Sequence, residues 1–190
     1  MASVVNNSSI DIASKALLLI GEAPISSFTE ASTAALIASN LYEASYESLL
    51  TLHPWRFASN KSTLSRLSAT PINQWKYGYQ LPPDFLVAQH VDANNDNYQI
   101  YGDKLYSDNT SIILDYTYKP DESFLPAYFT ELLELRLASV FAIPITESAT
   151  KGDYYAGLAE KQMSRAKTVD SQATPSITPN TESRLVKARF

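Results

Sequence analysis

Between Ser8 and Ile20 apolar residues recur at Ile10, Ala13, Leu17 and Ile20, the spacing of one helix face. Ser8 or Ser9 can cap the start, and Gly21 is placed to end it. This predicts a first helix over about 8–21. After a short loop, Glu22-Ala23-Pro24, the pair Ser27 and Glu30 fits a capping box. Ala34, Ile37, Leu41, Ser45, Leu49 and Leu52 then mark one stripe. A second helix is expected over about 29–53, stopped by Pro54, which biases His53 away from helical geometry.

The period then changes from helical to two. Trp75, Tyr77 and Tyr79 alternate up to Pro82-Pro83, and Phe85, Val87, Gln89 and Val91 continue the alternation. In the run 112–118, Ile112, Leu114, Tyr116 and Tyr118 fall on one side of an extended chain, with Ile113, Asp115 and Thr117 on the other. That is the pattern of a half-buried strand. Polar clusters at 92–97, Gly102-Asp103 and 107–110 supply turns, so 84–118 is expected to form a meander of three or four short antiparallel strands. The β region as a whole is expected over about 56–118. Trp55-Arg56-Phe57 enters it as an extended segment, in which Trp55 and Phe57, with Trp75 further on, serve as structural anchors against the core.

Helical spacing returns at Phe129, Leu132, Leu133, Arg136, Leu137 and Val140. The expected helix covers about 125–143, with Pro126 in its first turn and Pro144 at its end. A last helix is expected over about 146–169, opened by Thr146-Glu147, with Tyr155, Leu158, Ala159, Met163 and Ala166 on its apolar side. Gly152 and Gly157 each cost such a helix about 1 kcal/mol relative to alanine, which argues for a start near Asp153. The fold expected is α+β: a bundle of about four helices with an inserted antiparallel β-sheet or meander, forming one domain over 1–170. Residues 171–190, rich in Ser, Thr, Asn and Pro, are expected to leave it as an extended C-terminal arm.

Charge changes this picture only when it is mapped. The chain of 190 residues has net charge −5, which marks no general nucleic-acid binder. Residues 55–83, however, carry Arg56, Lys61, Arg66 and Lys76 with no acid, while 84–118 carry six aspartates against Lys104 alone. In a ring of copies a basic segment can pair with its neighbour's acidic one and steer assembly. Alternatively, aspartates lining a channel repel phosphate and avoid tight DNA binding. Absence of cysteine excludes disulfides and thiolate metal sites, and no run is apolar and long enough for a membrane span, so a soluble protein is expected.

Candidate chemistry is sparse. Five scattered glycines make no phosphate-cradling loop or dinucleotide fingerprint, no serine sits in a nucleophile elbow, and His53 and His90 have no ligand or triad spacing. Asp92, Asn94, Asp96 and Asp103 echo a calcium loop, but Asn97 stands where that loop needs glycine, and Asp103 replaces the bidentate glutamate. Neither a catalytic residue, a cofactor nor a metal site is assigned. A carbohydrate-acting enzyme needs two carboxylates at a suitable separation, a condition most acidic proteins meet.

Taken in order, several segments resemble the tail tubular protein A family, the head-to-tail adaptors of short-tailed bacteriophages. Ile20-Gly21-Glu22-Ala23-Pro24-Ile25 is similar to that family's opening helix and Ile-Gly-Glu-Pro-Pro loop, and Pro54-Trp55-Arg56-Phe57 to its tryptophan-containing exit from the second helix. Tyr79 to Leu86 (YQLPPDFL) and the hairpin Tyr101-Gly102-Asp103-Lys104-Leu105-Tyr106 resemble adaptor strands, and the likeness covers about residues 8–169.

The resemblance implies a non-enzymatic virion protein of the tail or neck, assembled in the host cytoplasm. It would form a ring of about twelve copies that joins the portal to the tail nozzle around the DNA channel. Its partners would be itself, the portal protein, the nozzle protein and passing DNA bound without sequence specificity, with no membrane. By the same resemblance the C-terminal segment would dock on the portal. Within it, Arg184, Leu185, Val186, Lys187, Arg189 and Phe190 stand out by charge and apolar character. Asp92, Asp96, Asp103 and Asp108 would mark a surface turned to the neighbouring subunit, the nozzle or the channel. The other functional classes carried forward are a tail-associated carbohydrate-acting enzyme and a partner-binding module whose tail orders on binding.

Overall fold

The computed structural model describes residues 8–92 and 97–172. Four helices, α1 (Ser9–Ile20), α2 (Thr33–Thr51), α3 (Ala127–Thr146) and α4 (Ala149–Gln172), enclose in sequence an antiparallel β region. Its strands are β1 (Ser59–Thr63), β2 (Tyr77–Gln80), β3 (Phe85–Asp92), β4 (Tyr98–Tyr101), β5 (Lys104–Ser107) and β6 (Ile113–Tyr118). This is the expected α+β architecture of four helices with a β insertion. The expected arm lies outside the described residues except for Ser171 and Gln172, which continue α4.

α1 is capped at both ends as its sequence prescribes. Ser8 Oγ accepts from Asp11 N at 3.1 Å while Asp11 Oδ2 accepts from Ser8 N at 3.1 Å, and Gly21 takes the left-handed conformation at φ 90°. α2 differs from expectation. It starts at Thr33, not 29, and its N-cap is Ser32, whose Oγ accepts from Ala35 N at 3.2 Å. Glu30 instead folds back onto Ser26, accepting from its N at 3.0 Å and its Oγ at 2.9 Å, which builds a turn rather than a capping box. The buried stripe is rotated as well: Ala35, Ala38, Tyr42, Ser45, Tyr46, Leu49 and Leu50 face inward, and Leu52 is exposed. Tyr42 and Tyr46 are the physical reason. Their rings bury large apolar areas, Tyr42 between Phe28 and Tyr46 and Tyr46 beside Phe129, and Tyr46 disposes of its hydroxyl by donating to Pro120 O at 2.8 Å.

α3 is the centre of the bundle, with α1, α2 and α4 all packed on it. Phe129, Leu132, Leu133, Leu137, Ala138, Phe141 and Ala142 are buried on most of its circumference, while Arg136 is exposed. Pro144 does not end the helix as expected. It lies in the last turn, where it gives up one i→i−4 hydrogen bond, and α3 runs on to Thr146 before Glu147 turns out at φ 52°. α4 then begins at Ala149, with Ser148 Oγ accepting from Lys151 N at 3.3 Å, and so starts before Gly152 rather than after it. Gly152 is buried because a Cβ there would sit 3.4 Å from Ile143 Cγ1 and 3.4 Å from Ser139 O, so its lack of a side chain permits the close approach of α4 to α3.

The strands do not form one meander. They divide into two three-stranded sheets, ordered β1-β6-β3 and β2-β5-β4, which interleave in sequence. β6 is central, and Ile112, Leu114 and Tyr116 are buried as the alternation predicts. Together with Leu64, Tyr79, Leu81, Val91 and Leu105 they make a small core separate from that of the helices. β3 pairs with β6 through two register shifts, Phe85/Val87 and Ala88/His90, and these bulges break the alternation expected at 85–91, leaving Val87 exposed. Gly102, at φ 59°, opens the two-residue hairpin loop between β4 and β5. Trp75 precedes β2 instead of belonging to it.

Candidate functional site

The helical body meets the β region at one corner, where α2 ends and a single 3-10 turn, Arg56–Ala58, leads into β1. The exit segment is thus a turn rather than the extended stretch expected. Trp55 is fully buried, and its Nε1 donates to Leu49 O at 2.9 Å, a carbonyl at the end of α2 that also accepts from Leu52 N at 3.3 Å. Its ring packs edge-on to Phe129 at 5.1 Å and to His53 at 4.8 Å, and Phe57 packs on Phe129 at 4.8 Å. Trp55 and Phe57 thus pack on the same ring of α3.

The corner is closed by Asp170, a carboxylate only 2 % exposed in the last turn of α4. Both its oxygens accept from Arg56 N at 3.2 Å, Oδ1 accepts from Tyr128 OH at 2.8 Å, and His53 Nε2 lies 3.7 Å from Oδ2. A carboxylate near a helix C-terminus opposes the helix dipole, and these donors offset that cost. Burial lowers the pKa of His53, against an opposing pull from Asp170, with Lys167 and Arg56 adding to the lowering. Burial and the bond to Asp170 raise that of the Tyr128 hydroxyl. Sequence reasoning missed Asp170. The available signal was its position four residues after Ala166, on the apolar side of α4 where an unpaired acid does not belong.

Beside this corner a groove of about 470 Å³ is bordered by Pro54, Arg56, Asn60, Lys61, Gln89 and Asp115. Lys61 Nζ is 3.1 Å from Asp115 Oδ1 across the β1–β6 pair. Here the basic and acidic segments of the sequence meet within one chain, because β1 pairs with β6 and β2 with β5. Asp108 Oδ1 accepts from Lys76 N at 3.0 Å, and Asp103 Oδ2 accepts from Gln80 Nε2 at 3.1 Å, a bond that holds the Asp103 pKa below the usual carboxylate range. Both aspartates remain exposed. Asp92 pairs with Ile113 through the backbone, its side chain is outside the described residues, and so is all of Asp96. The structure therefore brings each of Asp103 and Asp108 to a partner on β2 or just before it.

Trp75 is half-buried and donates from Nε1 to Gln99 Oε1 at 3.3 Å, which anchors it to β4 rather than to the helical core. Near it on β4 and β5, Tyr101 and Tyr106 have ring centroids 6.0 Å apart. The six candidate arm residues, Arg184 to Val186, Lys187, Arg189 and Phe190, lie outside the described residues. Among the described residues no cluster of three or more His, Cys, Asp or Glu could hold a metal ion, and no helix is long and apolar enough to cross a membrane. No known family model matches the chain, and no curated protein matches it either.

Proposed function

We propose that this protein is a structural adaptor: copies of it form a ring that joins a portal to a tail nozzle around a DNA channel. The observation that carries the reading is the order of parts, two helices, a β region with its own small core, two helices and then the segment 173–190, which is the order of the adaptor family it resembles. The β region presents Asp103 and Asp108 on its surface, and residues 184–190 supply three cations and an aromatic for a neighbouring component. At the opposite end of the bundle Leu18, Leu19, Ile143 and Tyr154 are exposed, apolar surface suited to contact between subunits. Mass measurement and electron microscopy of the full chain, alone and mixed with portal rings, test it. Rings that cap the portal are expected; a protein monomeric throughout that never joins a portal sinks the reading.

A second reading, a carbohydrate-acting tail protein, is favoured by one observation. Trp75, Tyr101 and Tyr106 gather aromatic surface beside Gln80, Gln99 and Asp103 on the smaller sheet. Host polysaccharide assayed with the protein and with Asp103→Asn decides it: turnover lost in the variant supports an enzyme, and no turnover removes it.

A further inference from the structure

We propose that residues 184–190 of this chain dock in a groove of the same chain, between the α1–α2 connection and the end of α3. The groove, about 370 Å³, has an apolar lining of Pro24, Ile25, Ala34 and Ile145, with Glu22 and Glu30 also lining it and no Lys or Arg. Glu30 is held in place by Ser26, whose two hydrogen bonds lower its pKa, so it is ionised at neutral pH. Thr33, which also lines the groove, shares a face of α2 with Leu36, and Leu36 is 63 % exposed. The surface therefore asks for a short segment that combines apolar side chains with positive charge.

Arg184-Leu185-Val186-Lys187-Ala188-Arg189-Phe190 is such a segment, with three cations and three large apolar side chains in seven positions. The reach is sufficient. Asp170 ties the end of α4 to Tyr128, at the start of α3, while Ile145 is at the other end of that helix, about 26 Å away at 1.5 Å per residue. Eleven residues separate Gln172 from Arg184, and the twelve extended steps between them span up to about 40 Å. Matching charges favour and orient the docking, and burial of Leu185, Val186 or Phe190 against Pro24 and Ile145 supplies the apolar contact.

The absence of cysteine makes disulfide trapping a clean test in the full-length chain. Thr33→Cys with Val186→Cys is expected to form an intrachain disulfide in dilute protein, read by peptide mapping, well above a control pair of Ser164→Cys on exposed α4 with Val186→Cys. Glu22→Lys should lower trapping about fivefold, and adding Lys187→Glu should restore it. Trapping no better than the control overturns the proposal, as does indifference to the charge swap. Disulfides formed only between chains also overturn it, and give the seat to a second copy. The same segment is the portal-docking arm of the adaptor reading, but the trap uses this chain alone. A failed trap leaves the adaptor reading standing, while a trapped arm on a protein that never joins portals sinks only that reading.

Discussion

Asp170 shows how much a single side chain can organise. One buried carboxylate takes the N–H of Arg56 and the hydroxyl of Tyr128, and so ties the last turn of α4 to the α2 exit and to the start of α3. His53, beside it, is a quarter exposed and has a lowered pKa, chiefly because burial disfavours its cation. The native state therefore binds fewer protons at His53 than the unfolded chain does. Its contribution to stability is present above the unfolded value near 6.5 and is lost as pH falls toward and through the lower folded value. Urea midpoints measured from pH 7.5 to 5 should fall in the wild type and fall less in His53→Gln. An unchanged slope in the variant would show that His53 titrates alike in both states. The Asp170–Arg56 pairing spans 114 positions, so no local pattern announced it, whereas Trp55 and Phe57 were legible from size and apolarity alone.

At the level of elements, periodicity located the helices and β6 because those patterns are set by one dominant buried face. It failed where several neighbours share an element. α3 is packed from three sides, so no single stripe describes it, and Arg136 is exposed although its spacing suggested a buried face. The division of the strands into two sheets was also hidden, since pairing of β1 with β6 and β2 with β5 depends on long-range register. Lys61 and Asp115, one from each of the two oppositely charged segments, pair across β1 and β6 within the chain. The glycines of α4 make the difference between local and packed readings measurable. A Cβ added at Gly157 would meet nothing within 4 Å, so Gly157→Ala should stabilise the protein by about 1 kcal/mol through helix propensity. Gly152 faces Ile143 and Ser139, so Gly152→Leu should cost about 1–3 kcal/mol by overpacking. Thermal melts of the two variants should move in opposite directions.

For the whole molecule the question is where the body ends. Composition places the change of character at about residue 170, but α4 continues to Gln172, and its last turn carries the carboxylate that closes the helix–sheet corner. A stop after Gln172 removes only residues outside the described structure and should leave the melting temperature within about 2 °C of the full chain. A stop after Val169 deletes Asp170, leaving Arg56 N–H and the Tyr128 hydroxyl without their acceptor. Each such part-buried donor costs toward the lower end of about 1–3 kcal/mol, or together about 3 kcal/mol. For a chain of this size about 2–4 °C per kcal/mol follows, so the shorter truncation should melt about 10 °C lower. Equal melting of the two truncated chains would mean that Asp170 does not close the corner in solution. A large loss in both would place residues 173–190 within the stable body, a far tighter hold than the weak docking proposed for 184–190. Calorimetry of the three chains side by side distinguishes these outcomes without needing a portal, a ring or any partner.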